Sequence, residues 1–301
     1  MRKVGLSTFQ LQDMFGDRRA IEIAKNAGAD AIDFSLHHGD FRKSTSIYSK
    51  SEDEILTYYT DLKKYADSLG IEICQTHGRL KGYQGEEEWD RAMRENARLD
   101  CLATKALGAP VTAVHSIPLK PPFPVDVDPK IMHDLNFKMF CEMLEDAKKY
   151  GVKIASETFG DCGYGVCDFF GDIGNFTSSY ERVRAASDNA DYFFTCVDTG
   201  HSNKAMRFGN PTPGDVIRRL GQSVICLHLH DNDTFTDQHK PPLTGTIDWD
   251  DILASLDEIG YSGVYNLEVA LRRFGDEIVE DTAAYSVKIM KNLLRRRYGE
   301  N

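Results

Sequence analysis

Between Val224 and His239 the chain reads V-I-C-L-H-L-H-D-N-D-T-F-T-D-Q-H, which places His228, His230, Asp231, Asp233, Asp237 and His239 within twelve residues. The first half alternates apolar and β-branched residues as a buried strand does, and the second half is dense in imidazole and carboxylate. Those two groups hold divalent cations and move protons. The stretch therefore reads as a metal or acid/base site, against the alternative of a polar surface loop with incidental histidines. Residues of the same kind close or interrupt other apolar runs: His77, His115, Glu157, Asp198 and Glu268. Any one alone reads as a hydrogen-bonded core residue. Gathered with His228 around one rim, they would bury an intolerable cluster of charge unless a cation neutralised it.

Such a gathering needs a scaffold that brings many strand ends together. Short apolar runs recur at Val4–Ser7, Ala31–Ser35, Ile71–Thr76, Val111–His115, Val152–Glu157, Tyr192–Asp198, Val224–His230 and Val264–Val269. Helical periodicity lies between them, over Glu52–Leu69, Glu87–Leu107, Pro129–Tyr150, Phe176–Ser187, Pro213–Leu220, Trp249–Ile259 and about Glu277 to Arg297. Helical segments close on Gly28, Gly70, Gly108, Gly151, Gly221 and Gly260, each followed shortly by the next strand, as αβ loops require. Ser51-x-x-Glu54 reads as a capping box, and Asp128-Pro129, Thr212-Pro213 and Asp248-Trp249 mark helix starts. Alternating strands and helices without a compositional break predict one (β/α)8 TIM barrel over residues 1–301, with its reactive residues at the C-terminal strand ends. An open doubly wound sheet is the alternative, but no G-x-G-x-x-G follows the first strand. Two loops are long enough for lids: Leu36–Lys50, carrying His37 and His38, and Thr158–Asn175. Cys162 and Cys167 in the latter lack a second thiol pair, so no zinc site is expected there.

Composition narrows the partners. A formal charge of −11 repels phosphate backbones and anionic membranes, so no nucleic acid and no membrane partner is expected. Seven scattered cysteines without a C-x-x-C pair fit reduced thiols. There is no apolar run near 18 residues and no apolar leader after M-R-K-V-G-L-S-T, which points to the cytoplasm. Oligomeric state is left open; a homo-oligomer is compatible.

Glu157, Asp198, His228 and Glu268 come from four consecutive strands, so their side chains can converge. Three carboxylates and one imidazole, without thiolate, suit a divalent cation such as Mn²⁺, Mg²⁺, Co²⁺ or Zn²⁺. A metal there would polarise a carbonyl and stabilise an enediolate while a carboxylate moves the proton.

The order Glu157, D-T-G-H (Asp198 to His201), H-x-H-D (His228 to Asp231), D-x-H (Asp237 to His239) and L-E (Leu267-Glu268), with T-G-T-I-D-W at Thr244 to Trp249, resembles the xylose isomerase-like barrel superfamily of sugar isomerases and epimerases. The resemblance covers nearly the whole chain. In ketose 3-epimerases of that superfamily the glutamates of strands five and eight bind a divalent metal, often manganese, and exchange the substrate's α-proton from opposite faces. The resemblance implies those roles for Glu157 and Glu268, completes the metal site with Asp198 and His228, and gives His201 a substrate hydroxyl or oxyanion. His77, His115, His201, Asp237 and His239 are expected to line the pocket of a small carbohydrate. The chain departs from the epimerase pattern in one respect: no arginine follows His228 at the expected spacing, and Asp237 and His239 stand there instead.

Abasic-site endonucleases of the same superfamily bind three zinc ions through nine ligands. His77, His115, Glu157, Asp198, His201, His228, Asp237, His239 and Glu268 resemble that set residue by residue. Against a nuclease stand the acidic charge and the T-F-G-D-C-G segment after Glu157. The expected function is thus a metal-dependent sugar isomerase or epimerase working through an enediolate. The alternatives are a sugar or inosose dehydratase or lyase on the same site, and a multi-zinc phosphodiesterase. A non-catalytic sugar sensor would not need two opposed glutamates. Arg272 and Arg273 lie where an anionic substrate group would arrive, although arginines in such loops are ordinarily solvated.

Overall fold

The computed structural model describes residues 2–119, 127–160 and 165–299. Eight strands, β1 (Val4–Ser7), β2 (Ala31–Ser35), β3 (Glu72–His77), β4 (Val111–His115), β5 (Lys153–Glu157), β6 (Phe193–Asp198), β7 (Val224–His228) and β8 (Tyr265–Leu267), pair in parallel. The order runs β7-β6-β5-β4-β3-β2-β1-β8. The ring closes between β7 and β8, where Leu229 N–H donates to the Asn266 carbonyl at 2.8 Å and Glu268 N–H to the Leu229 carbonyl at 3.1 Å. The result is a (β/α)8 barrel. Its strands are buried on both faces, which is why they read as nearly continuous apolar runs instead of alternating ones.

Helices α1 (Phe9–Phe15), α2 (Asp17–Asn26), α3 (Glu52–Ser68), α4 (Glu87–Ala106), α5 (Pro129–Tyr150), α6 (Ile173–Ala186), α7 (Thr199–Ala205), α8 (Pro213–Leu220), α9 (Trp249–Glu258) and α10 (Val279–Tyr298) form the outer ring. The main apolar core lies between strands and helices, while Val111, Ala113, Ala155, Cys196 and Cys226 form a separate small cluster within the ring of strands. The anticipated caps are present. Ser51 and Glu54 make the reciprocal box, and Asp128, Thr212 and Asp248 each accept a backbone N–H of the helix they start. Gly151 ends α5 in the left-handed conformation (φ 71°, ψ 31°), where a side chain would be strained. Gly221 has positive φ but ψ of −137°, so it turns the chain into a further helical turn instead of closing α8 in that way.

The helix closing on Gly28 is present as α2, whereas α1 and α7 were not anticipated. Gly16 (φ 76°) splits the segment after β1 into α1 and α2, too short for a clear period, and α7 begins inside D-T-G-H, where polar residues mask the helix. Strand seven ends at His228, two residues short of the reading, because Asp231 leaves the barrel to pair with Lys240. The six described cysteines are free thiols; Cys162 lies outside the described residues. No helix among them is long and apolar enough to cross a membrane.

Candidate metal centre

Strand register brings the predicted residues level. His115 stands beside Glu157 across β4 and β5, and Asp198 beside His228 across β6 and β7. Glu157 is fully buried. Its Oε2 lies 3.3 Å from both His77 Nε2 and His115 Nε2, and its Oε1 lies 3.1 Å from His228 Nδ1 and 3.5 Å from His201 Nδ1. Glu268, one residue past β8, places Oε2 3.3 Å from the same His228 Nδ1 and Oε1 3.6 Å from His77 Nδ1.

These groups are close without being well bonded. Both Glu157 oxygens, His77 Nε2, His115 Nε2 and His228 Nδ1 are buried and lack a properly directed hydrogen bond. Left so, each unsatisfied polar atom costs on the order of 1–3 kcal/mol. Lone pairs of nitrogen and carboxylate oxygen sharing one small space are what a divalent cation requires, so the donor set fits one. Cys196 also lies close to Glu157 and His228, but burial pushes its thiol up and keeps it protonated.

The electrostatics agree. Burial works against charge on His77, yet the Glu157 and Glu268 carboxylates outweigh it and push its pKa up to about 10. His228 and His201 are raised in the same way, the first chiefly by Glu157 and the second by Asp198. Burial would raise Glu157 and Glu268, but the surrounding imidazoles, His228 foremost, hold both below the usual carboxylate range. Without a metal, protons on the histidines balance the carboxylates.

Asp33, in mid-strand on β2, escaped the sequence reading. Its Oδ2 accepts from His228 Nε2 at 3.1 Å and from Asn266 Nδ2 at 3.3 Å, which orients the imidazole and leaves Nδ1 facing the two glutamates. A Cβ on Gly5 would come within 2.7 Å of Asn266 Oδ1, so the glycine makes room for that partner. The available signal was a carboxylate inside the apolar run A-I-D-F-S.

Asp198 is engaged differently from the other three predicted ligands. It caps α7 by accepting from His201 N–H at 2.6 Å, and its Oδ2 lies 3.0 Å from His230 Nε2. His230, two residues from His228 and hence on the same strand face, was present in the motif but given no role. It stacks on His239 with ring centroids 3.8 Å apart. A Cβ on Gly200 would meet His230 Cε1 at 1.9 Å, so D-T-G-H needs its glycine. His201, His230, Asp237 and His239 make a second group whose ligand atoms lie within 4.8 Å of one another. Burial lowers the pKa of His239, but Asp237 overrides it and raises it to about 9. His239 Nδ1 hydrogen-bonds the Glu268 carbonyl at 2.8 Å, and its backbone is held at φ 43°, a strained value for a non-glycine residue. Asp231 and Asp233 are structural: Asp231 accepts from Trp249 Nε1 at 2.9 Å and Ile247 N–H at 3.2 Å, and half-buried Asp233 caps a turn at Phe235 and Thr236.

A cavity of about 340 Å³ opens onto these groups; His77, His115, Glu157, His201, Asp237, His239 and Glu268 all line it. Arg272 and Arg273 do not. The first is paired twice with Asp276, both at 2.8 Å, and the second reaches the Gln238 carbonyl.

The fold has known counterparts. An L-ribulose 3-epimerase superposes with a TM-score of 0.74 at 18% identity, covering 99% of this chain and 97% of that one. The IolI protein with a bound zinc atom gives 0.70 at 18%, covering 98% and 97%. At such identities the likeness shows the fold alone. An uncharacterised protein of Methanocaldococcus jannaschii is 32% identical over 136 residues, 45% of this chain and 43% of that protein. The chain spans about half the length of the curated relatives it matches. A family match extends over residues 21–293, from α2 into α10, and on that extent the chain belongs to the xylose isomerase-like TIM barrel family.

Proposed function

We propose that the chain is a divalent-metal-dependent enzyme that isomerises or epimerises a small sugar by proton transfer at the carbon next to its carbonyl. The observation that carries this reading is the pair of glutamates, buried Glu157 and partly buried Glu268, that bracket one imidazole nitrogen at 3.1 and 3.3 Å. Glu157, Asp198, His228 and Glu268 would hold the cation, with manganese expected and magnesium, cobalt or zinc compatible with the donors. When bound, it supplies stabilisation of negative charge developing on substrate oxygens. The chain's own residues do the rest. Glu157 and Glu268 take and return the proton, Asp33 holds His228 in orientation, and His201 donates to a substrate oxygen. His77, His115, Asp237 and His239 line the sugar. The fold shared with an L-ribulose 3-epimerase supports the substrate class. The test is a panel of ketoses, keto-inositols and 3-oxo-sugars in D₂O with Mn²⁺. Deuterium should enter next to the carbonyl in wild type and not in Glu157→Gln or Glu268→Gln; turnover that survives in both variants would refute the assignment.

A second reading has its own observation. His77, His115 and Glu157 form one ligand group and His201, His230, Asp237 and His239 another, which favours more than one cation and a multi-zinc phosphodiesterase. Zinc calorimetry separates the two. The isomerase reading expects saturation near one equivalent, whereas three tight equivalents together with cleavage of abasic DNA would establish the second.

A further inference from the structure

The arc of the cavity wall formed at β1 and β2 has no role in the proton transfer, yet it is polar where it need not be. Ser7, at the end of β1, is 6% exposed, and its Oγ is buried without a hydrogen-bond partner. His37, just beyond β2, uses Nδ1 on Ser35 Oγ, while Nε2 is buried and unpartnered. Both residues line the same cavity as Glu157 and Glu268. The His37 ring is fixed from outside, edge-on to Phe9 at 4.1 Å and against His38 at 3.8 Å. Burial first, and the neighbouring cationic groups second, lower its pKa to about 3, so it is a neutral hydrogen-bonding group. Gln10, also on this wall, commits Oε1 to the Arg272 N–H at 3.0 Å and keeps its amide NH₂ as a donor.

Among the described residues lining the cavity none is lysine or arginine. Among the described residues near this end, Arg79 binds the Gly39 carbonyl, Lys204 faces Asp237, Arg272 pairs with Asp276 and Arg273 reaches the Gln238 carbonyl. A phosphate ester needs paired cations or a helix N-terminus to replace its hydration, whereas a hydroxyl needs only neutral donors and acceptors. We propose that Ser7 Oγ and His37 Nε2 form the subsite that holds the hydroxylated tail of an unphosphorylated sugar. The reacting end of that sugar then lies between Glu157 and Glu268. The subsite rests on the isomerase reading and specifies its substrate class.

The probes are D-fructose and D-tagatose, each as free ketose, 6-deoxy ketose and 6-phosphate, offered to the Mn²⁺-loaded protein. Calorimetry reads binding, and mass spectrometry reads deuterium uptake from D₂O. A free ketose should bind, with its 6-deoxy and 6-phosphate forms weaker by roughly tenfold or more, the scale of a lost buried hydrogen bond. Ser7→Ala and His37→Phe should each erase the preference for the free over the deoxy form at wild-type metal content; the serine variant, which removes one oxygen, guards against misfolding of the other. Tighter binding of a phosphate ester, no ketose bound at all, or an unchanged preference in both variants overturns the subsite. Tail preference without deuterium uptake would instead count against the isomerase reading alone.

Discussion

Cavities open at both ends of the barrel, and the one at the N-terminal end is larger than the one that holds the carboxylates and imidazoles. At the N-terminal strand ends about 590 Å³ is lined by Lys3, Glu72, Gln75, Val111, Lys153 and Tyr265 among others. There Lys3 pairs with Glu72, both about half exposed, and Lys153 lies over the Phe194 ring. Water screens such pairs, and they contribute little. At the opposite end about 340 Å³ faces carboxylates and imidazoles that lie close together, with buried atoms of Glu157, His77 and His115 left without a hydrogen bond. Volume therefore does not identify the site, and neither does an unpartnered atom alone, since Gln75 Nε2 and Tyr265 Oη lack partners at the N-terminal end; a gathering of buried carboxylate and imidazole atoms does, because the fold tolerates it only where something else is to be bound.

The largest expected effect is at that charged mouth. Glu157→Gln and Glu268→Gln retain shape but remove a base, and each should lower turnover roughly 10²–10⁴-fold; near-wild-type rates in both would erase the distinction between the two ends. Next comes the metal. His228→Ala should abolish tight binding, and Asp33→Asn, which loosens only the orientation of His228, should weaken it roughly 10–100-fold without loss of fold. Equal metal content by elemental analysis across wild type and both variants would show that these residues hold no cation.

A smaller effect concerns protons. In the metal-free protein Glu157 and Glu268 outweigh burial and hold the proposed ligand His228 well above its ordinary range, so a cation must displace a proton still bound at neutral pH; His77 and His239, pushed up to about 10 and about 9, are protonated there as well. Metal uptake should release protons, and affinity should rise with pH, as read by calorimetry in buffers of different ionisation enthalpy. Because both values lie above the ordinary 6.5, their contribution to metal-free stability is full below about pH 6.5 and is lost as pH climbs through about 9 to 10. Binding without proton release would contradict the pairing. The smallest effect is at the far end: Lys153→Ala and Glu72→Gln should change stability by no more than about 0.5 kcal/mol and leave metal content unchanged.

Much of the mouth was legible because polar residues at strand ends interrupt apolar runs, and a barrel must bring strand ends together. His77, His115, Glu157, His201, His228, Asp237, His239 and Glu268 all face one cavity or its floor as a result. What escaped was partnership. Asp33 and His228 are 195 residues apart in sequence, and only the closed ring makes them neighbours. Asp198 looked like its companion carboxylates, but its ties to His201 and His230 follow from α7, a helix too short and too polar to show a period. Strand limits erred by a residue or two where chain geometry, not hydrophobicity, ends the pairing, as at Asp231.

The contact between Gly200 and the His230 ring also constrains the history of the sequence. A β-carbon at position 200 would sit 1.9 Å from that imidazole, so the ring, which is buried, stacked on His239 and held by Asp198, would have to move out of its place. The two positions are thus coupled: a side chain enters at 200 at least cost once the imidazole at 230 has been replaced by something smaller. The reverse path passes through an intermediate in which His230 is displaced from Asp198 and His239. Descendants of this barrel should therefore carry glycine at 200 wherever they keep histidine at 230, a coupling visible in any sufficiently deep collection of related sequences.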